Sequence, residues 1–270
     1  MVGTVPNFLL VDAFARAPFT GNPAAIVLLD RAWPEDGYLQ ALAMEFNQAE
    51  TAYVRPRDDG GFDLRWFTPA REVVLCGHAT LAAAHALREW GVVSADGRVR
   101  FVTRRSGELV CAFDGHSITM DFPATPPAPA AAPAGAAAVL GVEGPVVTVG
   151  STAMNLTLRL PARRQVADAR PDLRVLAGWH PIGVTITAPG DEPGIDFVSR
   201  FFAPAAGIDE DPVTGSSHCA LAVYWAAQLG KTKFTALQLS RRGGRLRVQF
   251  LGERVALSGE AVTTVRGAID

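Results

Sequence analysis

A short pattern occurs twice in the chain, and it constrains the fold more than any other feature. The first copy reads RWFTPA at residues 65–70 and is followed by CGHATLAAAHAL at 76–87. The second reads RFFAPA at 200–205 and is followed by TGSSHCALAVYW at 214–225. In both copies an Arg-aromatic-Phe-x-Pro-Ala segment precedes a glycine and an alanine-rich stretch, which indicates a duplicated strand, turn and helix. We therefore expect two similar halves.

The length of the chain and one change in composition place the boundary between these halves. A chain of 270 residues is long for a single hydrophobic core, so two domains are expected. Residues 124–142 carry no charge, and four prolines prevent a continuous helix there. We predict that 124–142 is a semi-rigid linker between an N-terminal half at 1–123 and a C-terminal half at 143–258. A last strand at about 259–270 could complete the N-terminal half.

Each copy of the pattern ends in a helix that lacks a polar face. The stretches 79–87 and 219–227 are almost entirely apolar, so both helices should be enclosed by protein. Alternating or β-branched segments typical of short strands surround them. These segments lie at 8–14, 25–29, 51–54, 63–67, 99–103, 117–122, 155–160, 183–187, 245–250 and 261–265. The sequence predicts an α/β (α+β) fold of two pseudo-symmetric halves, each with a curled, mostly antiparallel sheet wrapped around a central apolar helix.

Composition and charge narrow the classes of partner. Apolar residues make up 49% of the chain and its formal net charge is −2, which favours a folded protein without the basic surface of a nucleic-acid binder. No apolar run reaches the roughly 20 residues that span a bilayer, and the N-terminal residues do not resemble a signal peptide. The three cysteines show no disulfide-like spacing, so we expect free thiols. A cytoplasmic protein with a small-molecule partner is predicted.

Several common site motifs are absent from the sequence. The spacing of the glycines excludes GxGxxG, and no GxxxxGK[ST] motif occurs, which argues against the usual nucleotide cradles. No HExxH or CxxC occurs, and His78 and His85 would lie about 10 Å apart along a helix, too far to share one metal ion. A GxSxG nucleophile motif is also missing. We predict no metal site and no serine-hydrolase chemistry.

Two predicted helix N-termini remain as candidate binding elements, one at Gly77 and one at Gly215. A helix N-terminus presents unpaired backbone N–H groups and the positive end of the helix dipole, and therefore attracts a carboxylate. Backbone donors would come from Gly77, Gly215 and Ser217. The alternative is that both glycines only permit tight entry turns and that the neighbouring polar residues cap their helices. The residues alone leave both interpretations open.

Four longer motifs resemble one protein family. VDAFARAPFTGNPAAIVLL at 11–29, MEFNQAETAYV at 44–54, LCGHATLAAAHAL at 75–87 and DEDPVTGSSHCALAVY at 209–224 are similar to the phenazine biosynthesis PhzF-like isomerases. The resemblance covers nearly the whole chain in the order of the family. It implies a diaminopimelate epimerase-like fold, an active site in the cleft between the two halves, no cofactor, and a homodimer.

The resemblance also implies roles for individual residues. The acid/base glutamate of the family lies in the motif that reads AETAY here, which places it at Glu50 and not at the nearby Glu45. The catalytic histidine of GHAT matches His78, and the aspartate and serine of DPxTGS match Asp211 and Ser216. The substrate-binding positions that we expect from the same motifs are Asn22, Gly77, Thr214, Gly215 and Ser217.

These residues predict a proton-moving reaction on a small carboxylate-bearing substrate. A carboxyl group enclosed in a cleft can exchange a proton with carbon near neutral pH, because desolvation disfavours its charged form. Glu50 would be the proton shuttle, and the helix N-termini would stabilise the negative charge that develops. His78, Asp211 and Ser216 would hold the substrate and position protons.

Two alternatives are kept. Amino-acid racemases of the same fold use two opposed thiols, one directly before the glycine at each helix start. Cys76 fills the first place, but Thr214 fills the second, and Cys219 lies inside the predicted helix. Cys76 is therefore expected to be a small buried hydrophobic residue. The other alternative is a non-catalytic binding protein that retains the fold.

Overall fold

The computed structural model describes residues 7–30, 32–94 and 97–269. The chain divides into two compact units. Unit 1 comprises Met1–Asp121 and Ser258–Asp270, and unit 2 comprises Phe122–Leu257. Unit 2 is therefore inserted between two segments of unit 1.

The strands of unit 1 are short and are separated by two helices. They are β1 (Asn7–Ala13), β2 (Asn22–Leu28), β3 (Glu50–Pro56), β4 (Phe62–Phe67), β5 (Glu72–Val73), β6 (Arg98–Thr103), β7 (Glu108–Asp114), β8 (Ser117–Pro123), which ends just past the unit boundary, and β17 (Ala261–Ala268). The helices are α1 (Asp36–Phe46) and α2 (Gly77–Glu89).

The sheet of unit 1 is mostly antiparallel. Two neighbouring pairs are parallel, β2 with β3 and β4 with β6. Parallel pairs need a crossover, which α1 supplies for the first pair and α2 for the second. The strand β17 pairs with β1 and so closes the sheet with residues from the far end of the chain.

The helix α2 lies in the core of unit 1. It contacts β1, β2, β3 and β17, and its residues from His78 to Ala84 are all buried. Alanine is the strongest helix former and has a small side chain, which allows strands to pack closely around the helix. The predicted central apolar helix is confirmed.

Unit 2 repeats this arrangement. Its strands are β9 (Val147–Ser151), β10 (Leu156–Arg159), β11 (Val184–Pro189), β12 (Phe197–Ala203), β13 (Ile208–Asp211), β14 (Lys233–Gln238), β15 (Gly244–Phe250) and β16 (Arg254–Gly259), which ends just past the unit boundary. Its helices are α3 (Ala136–Leu140), α4 (Arg163–Asp168), α5 (Leu173–Leu176) and α6 (Gly215–Leu229), with a 3-10 turn at Pro204–Ala206. The pairs β10 with β11 and β12 with β14 are parallel, as in unit 1.

An ion pair marks the repeat at the level of side chains. In unit 1, Nε and Nη2 of the buried Arg65 donate to the two carboxylate oxygens of Glu72, at 2.8 and 2.9 Å. In unit 2, the same atoms of Arg200 donate to Glu210, at 2.6 and 2.9 Å. Each pair joins two antiparallel strands just before a central helix, so the duplicated pattern has kept its packing and its charges.

Residues 124–142, which were predicted to be a linker, are part of unit 2. Ala128 pairs with Ser151 through two backbone hydrogen bonds of 2.8 Å. The alanines after the last proline of the segment form α3, and Leu140 at its end is fully buried in the core of unit 2. The prolines exclude a long helix, but apolar alanines and leucine still stabilise the unit when they are buried.

Each of the ten predicted strand segments overlaps a strand of the structure. No helix in the described part of the chain is long and apolar enough to cross a membrane.

Candidate active site

A carboxylate and an imidazole meet at one edge of the unit 1 sheet. Nε2 of His78 lies 3.1 Å from Oε2 of Glu50. His78 is buried in the first turn of α2, and the side chain of Glu50 is 14% exposed at the start of β3. Glu50 is therefore largely shielded from bulk water but keeps a small exposed surface. Glu45 is an exposed residue of α1 and shares none of these contacts.

Asn22 holds the other nitrogen of this imidazole. It is the first residue of β2 and fully buried, and its Nδ2 lies 3.1 Å from Nδ1 of His78. When the amide donates to Nδ1, the ring hydrogen of the neutral imidazole lies on Nε2 and points to Glu50. When the amide is turned over, it accepts from Nδ1–H of the imidazolium. Asn22 can therefore pair with either protonation state of His78.

The local fold explains why these three side chains meet. β2 and β3 are parallel neighbours with Ala24 opposite Glu50, so both strands begin at the same edge of the sheet. The helix α2 packs against both strands. Asn22, Glu50 and His78, which are far apart in the sequence, each lie at the first or second position of their element.

Burial and charge set the protonation of His78 and Cys76. Burial lowers the pKa of His78, but the negative charge of Glu50 and the hydrogen bonds of the ring to Cys76 and Glu50 outweigh this effect and hold the pKa well above its usual value. Burial, and then the charge of Glu50, raise the pKa of the Cys76 thiol to about 11. At neutral pH Cys76 is therefore a protonated thiol, which is a poor nucleophile.

The same place contains a group of potential metal ligands. Ligand atoms of Glu50, Cys76 and His78 all lie within 4.8 Å of one another. Sequence spacing did not indicate this group, because its carboxylate comes from β3 and its other two members from the start of α2.

In unit 2, Asp211 and Thr214 form the entry to α6. Asp211 is the last residue of β13, and Thr214 immediately precedes the helix. The hydroxyl of Thr214 donates to Oδ2 of Asp211. This contact fixes the orientation of the Asp211 carboxylate.

Sequence reasoning missed Gln238, which secures this entry. Gln238 is buried at the end of β14. Its Oε1 accepts from the backbone N–H of Thr214 at 2.9 Å, and its Nε2 donates to the backbone carbonyl of Asp211 at 2.7 Å. One buried amide thus bonds both ends of the DPVT segment. A glutamine in a strand carries no sequence signal for such a role.

The two adjacent serines in the first turn of α6 differ in burial. Ser216 is half-buried, whereas Ser217 is buried and its hydroxyl lies 2.8 Å from that of Thr185. The hydroxyl of Ser217 therefore belongs to the interior of unit 2. The predicted contribution of Ser217, a backbone donor, does not need that hydroxyl.

The strand registers identify equivalent positions in the two units. Pro56 lies opposite Phe62 in unit 1, and Pro189 lies opposite Phe197 in unit 2. Counting back along β3 and β11 from these prolines aligns Glu50 with Gly183. A Cβ atom at Gly183 would lie 2.3 Å from the ring of Phe201. The space for a side chain at the equivalent of Glu50 is thus filled in unit 2.

The structure therefore groups the predicted residues by unit. Asn22, Glu50 and His78, with Gly77 at the start of α2, lie together in unit 1. Asp211, Thr214, Gly215, Ser216 and Ser217 lie together at the start of α6 in unit 2. That the two groups form one site stays a prediction.

A comparison with known proteins decides the family. The model of the family described as phenazine biosynthesis-like protein matches residues 11–267. The chain belongs to the phenazine biosynthesis-like protein family. The chain is 47% identical to an uncharacterized isomerase of Pseudomonas aeruginosa, over 97% of this chain and 98% of the relative. Together with further relatives that are named isomerases, this identifies the protein as an isomerase.

Solved structures agree with the fold. A crystal structure of a PhzF-family phenazine biosynthesis protein from Enterococcus faecalis superimposes with a TM-score of 0.92 at 35% identity, covering 99% of this chain and 100% of that chain. A probable proline racemase from Agrobacterium radiobacter K84, with bound carbonate, superimposes with a TM-score of 0.64 at 10% identity, covering 98% and 93%. The second likeness shows the fold alone. The predicted α/β fold and the family resemblance are both confirmed.

Proposed function

We propose that the protein is a cofactor-independent isomerase that moves a proton on a small carboxylate-bearing substrate. Glu50 is the general acid/base. The observation that carries the proposal is the position of the buried His78, with one ring nitrogen at Glu50 and the other at Asn22. His78 fixes the orientation of the base, Glu50, and Asn22 in turn fixes the orientation of His78. Such a series of oriented groups suits proton transfer to and from carbon.

The reaction follows from these contacts. The carboxylate of Glu50 removes a proton from a carbon of the substrate and becomes a carboxylic acid. The electron pair left on carbon is delocalised toward an unsaturated or carboxylate group of the substrate. The carboxylic acid then returns the proton to a second carbon, which regenerates the carboxylate and completes the isomerisation.

His78 and the start of α2 stabilise the intermediate charge. The raised pKa of His78 favours the imidazolium, whose positive charge offsets the negative charge on the substrate. The N-terminus of α2 adds the positive end of its dipole. Asn22 pairs with Nδ1 throughout, so the ring keeps its orientation while the charge develops.

The start of α6 is the proposed carboxylate-binding element. The backbone N–H groups of Gly215, Ser216 and Ser217 belong to its first turn, where they have no partner within the helix. The half-buried hydroxyl of Ser216 adds a donor, and Asp211 is held by Thr214 and Gln238.

The buried free cysteines are consistent with the proposed cytoplasmic location. We also propose that the protein forms a homodimer, because the family resemblance implies one.

The test is proton exchange with solvent. The protein is dialysed against a chelator and incubated in D2O with a panel of small carboxylic acids, including β,γ-unsaturated acids and amino acids, and deuterium on carbon is measured by mass spectrometry. The proposal expects carbon-bound deuterium in at least one acid, unchanged by the chelator. Binding of an acid, seen as a ligand-induced thermal shift, without any exchange would support a binding protein. Exchange that the chelator abolishes would contradict cofactor independence.

A further inference from the structure

We propose that Glu50, Cys76 and His78 form a binding site for a thiophilic divalent cation such as Zn²⁺, and that the bound cation inhibits the isomerase. Binding itself does not depend on the proposed function. The inhibition does, because it requires Glu50 to be the acid/base group.

The distances within the group suit one small cation. In a tetrahedral zinc site, ligand bond lengths of about 2.0–2.3 Å separate a nitrogen from an oxygen ligand by about 3.3 Å and from a sulfur ligand by about 3.6 Å. Here Nε2 of His78 lies 3.1 Å from Oε2 of Glu50 and 3.9 Å from Sγ of Cys76. All three ligand atoms lie within 4.8 Å of one another. The nitrogen–oxygen pair is within about 0.2 Å of the zinc value, whereas Sγ lies nearer Nδ1 than Nε2, so the Cys76 side chain has to turn toward Nε2 and Glu50 to complete the site.

The backbone around Gly77 brings the sulfur and the imidazole together. Cys76 has an extended conformation, with φ −142° and ψ 111°, and the helix begins at the next residue. This change of conformation between Cys76 and His78 places Sγ 3.5 Å from Nδ1 of the imidazole. The carboxylate of Glu50 approaches from β3, so the ligands come from two elements of unit 1.

The chemistry of the three donors selects the class of cation. Thiolate and imidazole ligands favour Zn²⁺, whereas Mg²⁺ takes oxygen ligands and retains its water. Binding releases the thiol proton of Cys76 and the Nε2 proton of the His78 imidazolium to solvent, and the sulfur–metal and nitrogen–metal bonds form in their place, while the remaining ring proton stays on Nδ1 beside Asn22. The charges of the thiolate and of Glu50 then balance those of the cation, which suits a buried site.

Occupation of this site and turnover exclude each other. A cation that holds an oxygen of Glu50 and a nitrogen of His78 removes the proton acceptor and its orienting partner together. Cys76 has no role in the proposed proton transfer. Cys76→Ala therefore keeps both members of the acid/base pair. Because the contact of Cys76 with the ring also affects the pKa of His78, the exchange rate of this variant with Zn²⁺ is compared with its own rate without the metal.

The first experiment measures binding without turnover. Chelator-treated protein is titrated with Zn²⁺ by calorimetry, and Co²⁺ is added separately to record the absorption band of a thiolate–cobalt bond. We expect one Zn²⁺ per chain, a thiolate–cobalt band, and no heat with Mg²⁺. Cys76→Ala should lose the band and bind Zn²⁺ about 100-fold more weakly, since it lacks one of three ligands. Cys111→Ala is the matched control, because Cys111 is also buried in unit 1 but lies outside the group.

The results separate this inference from the proposed function. The absence of a thiolate–cobalt band in the unaltered protein would overturn the metal site, and this measurement needs no variant. Equal Zn²⁺ affinity in the parent and Cys76→Ala would also overturn it.

The second experiment measures proton exchange at saturating Zn²⁺. We expect at least a tenfold loss in the parent and in Cys111→Ala, but none in Cys76→Ala at the same concentration. A parent that binds Zn²⁺ through Cys76 and still exchanges at full rate would contradict the inhibition.

Discussion

Gly183 in unit 2 occupies the position that Glu50 occupies in unit 1. The ring of Phe201 fills the space that a side chain at Gly183 would need. Thr214 likewise takes the place of Cys76 before the second helix. The proposed acid/base group of unit 1 therefore has no counterpart at the equivalent position of unit 2.

Replacement of Glu50 by Gln tests the acid/base role. Gln keeps the size of the side chain but cannot accept and return a proton, so the rate of carbon-bound deuterium exchange should fall by about 10² to 10⁴, while folding and ligand binding persist. Glu45→Gln changes an exposed residue of α1 and is the control, with exchange near the parental rate. Equal exchange in both variants and the parent would show that Glu50 is not the shuttle.

Replacement of Cys76 or Cys219 by Ala distinguishes the isomerase from a two-thiol racemase. Burial and the charge of Glu50 raise the pKa of Cys76 to about 11, so its thiol is protonated at neutral pH. Cys219 is buried inside α6. Both variants should retain exchange activity within about tenfold in metal-free buffer, because neither thiol transfers a proton in the proposed reaction. Complete loss of activity in Cys76→Ala, in a protein that still unfolds cooperatively, would favour the racemase.

His218 should make the protein sensitive to acid. This residue is fully buried in α6 and burial lowers its pKa to about 4, against about 6.5 in an unfolded chain. Between these values the unfolded chain binds more protons, so the free energy of unfolding should fall as the pH drops from about 6.5 to about 4, by ~3 kcal/mol in all.

The variant His218→Phe isolates this effect in urea unfolding curves at several pH values. The difference in unfolding free energy between parent and variant should shrink or reverse toward acid pH by the stated amount. His78 acts in the opposite direction, since its raised pKa gives a contribution that is complete below about 6.5 and lost as the pH rises through the raised value. His78 is present in both proteins, so it cancels. A constant difference across the pH range would contradict the prediction.

Gln238 should matter for both stability and the entry to α6. Its replacement by Leu leaves the backbone N–H of Thr214 and the carbonyl of Asp211 without their partner, which should lower the free energy of unfolding by about 2–4 kcal/mol. The proposed substrate affinity should weaken as well, because Asp211 loses its support. Urea unfolding and KM measure the two effects. The half-buried Gln249 of β15 provides the control, Gln249→Leu, with little change in either.

The sequence predicts the repeat and the central helices because their signals are local. An alanine-rich stretch after a glycine, and alternating segments on either side, specify α2 and many of the strands directly. The role of residues 124–142 could not be predicted in this way. Their prolines are visible in the sequence, but the burial of Leu140 depends on strands far along the chain.

In the candidate site too, some features have a local sequence signal and others depend on the folded sheet. The helix starts at Gly77 and Gly215 can be predicted from the residues alone. Glu50 and Asp211 carry no functional signal of their own, and only the family motifs indicate a role for them. The pairing of Asn22 with His78 depends on the parallel register of β2 and β3, which no local pattern contains. Gln238 and the ligand group with Cys76 were missed for the same reason, since their members meet only in the folded sheet.

The pairing of β17 with β1 sets an order for folding during synthesis. Leu10 pairs with Val265, so all of unit 2 is translated between these two partners. Unit 2 is one continuous segment, and its sheet can form as soon as that segment leaves the ribosome. The sheet of unit 1 has to wait for β17, and until then β1 has an open edge that could pair with another chain. The edge of β1 that faces β17 is thus open to misassembly until the residues of β17 have been translated.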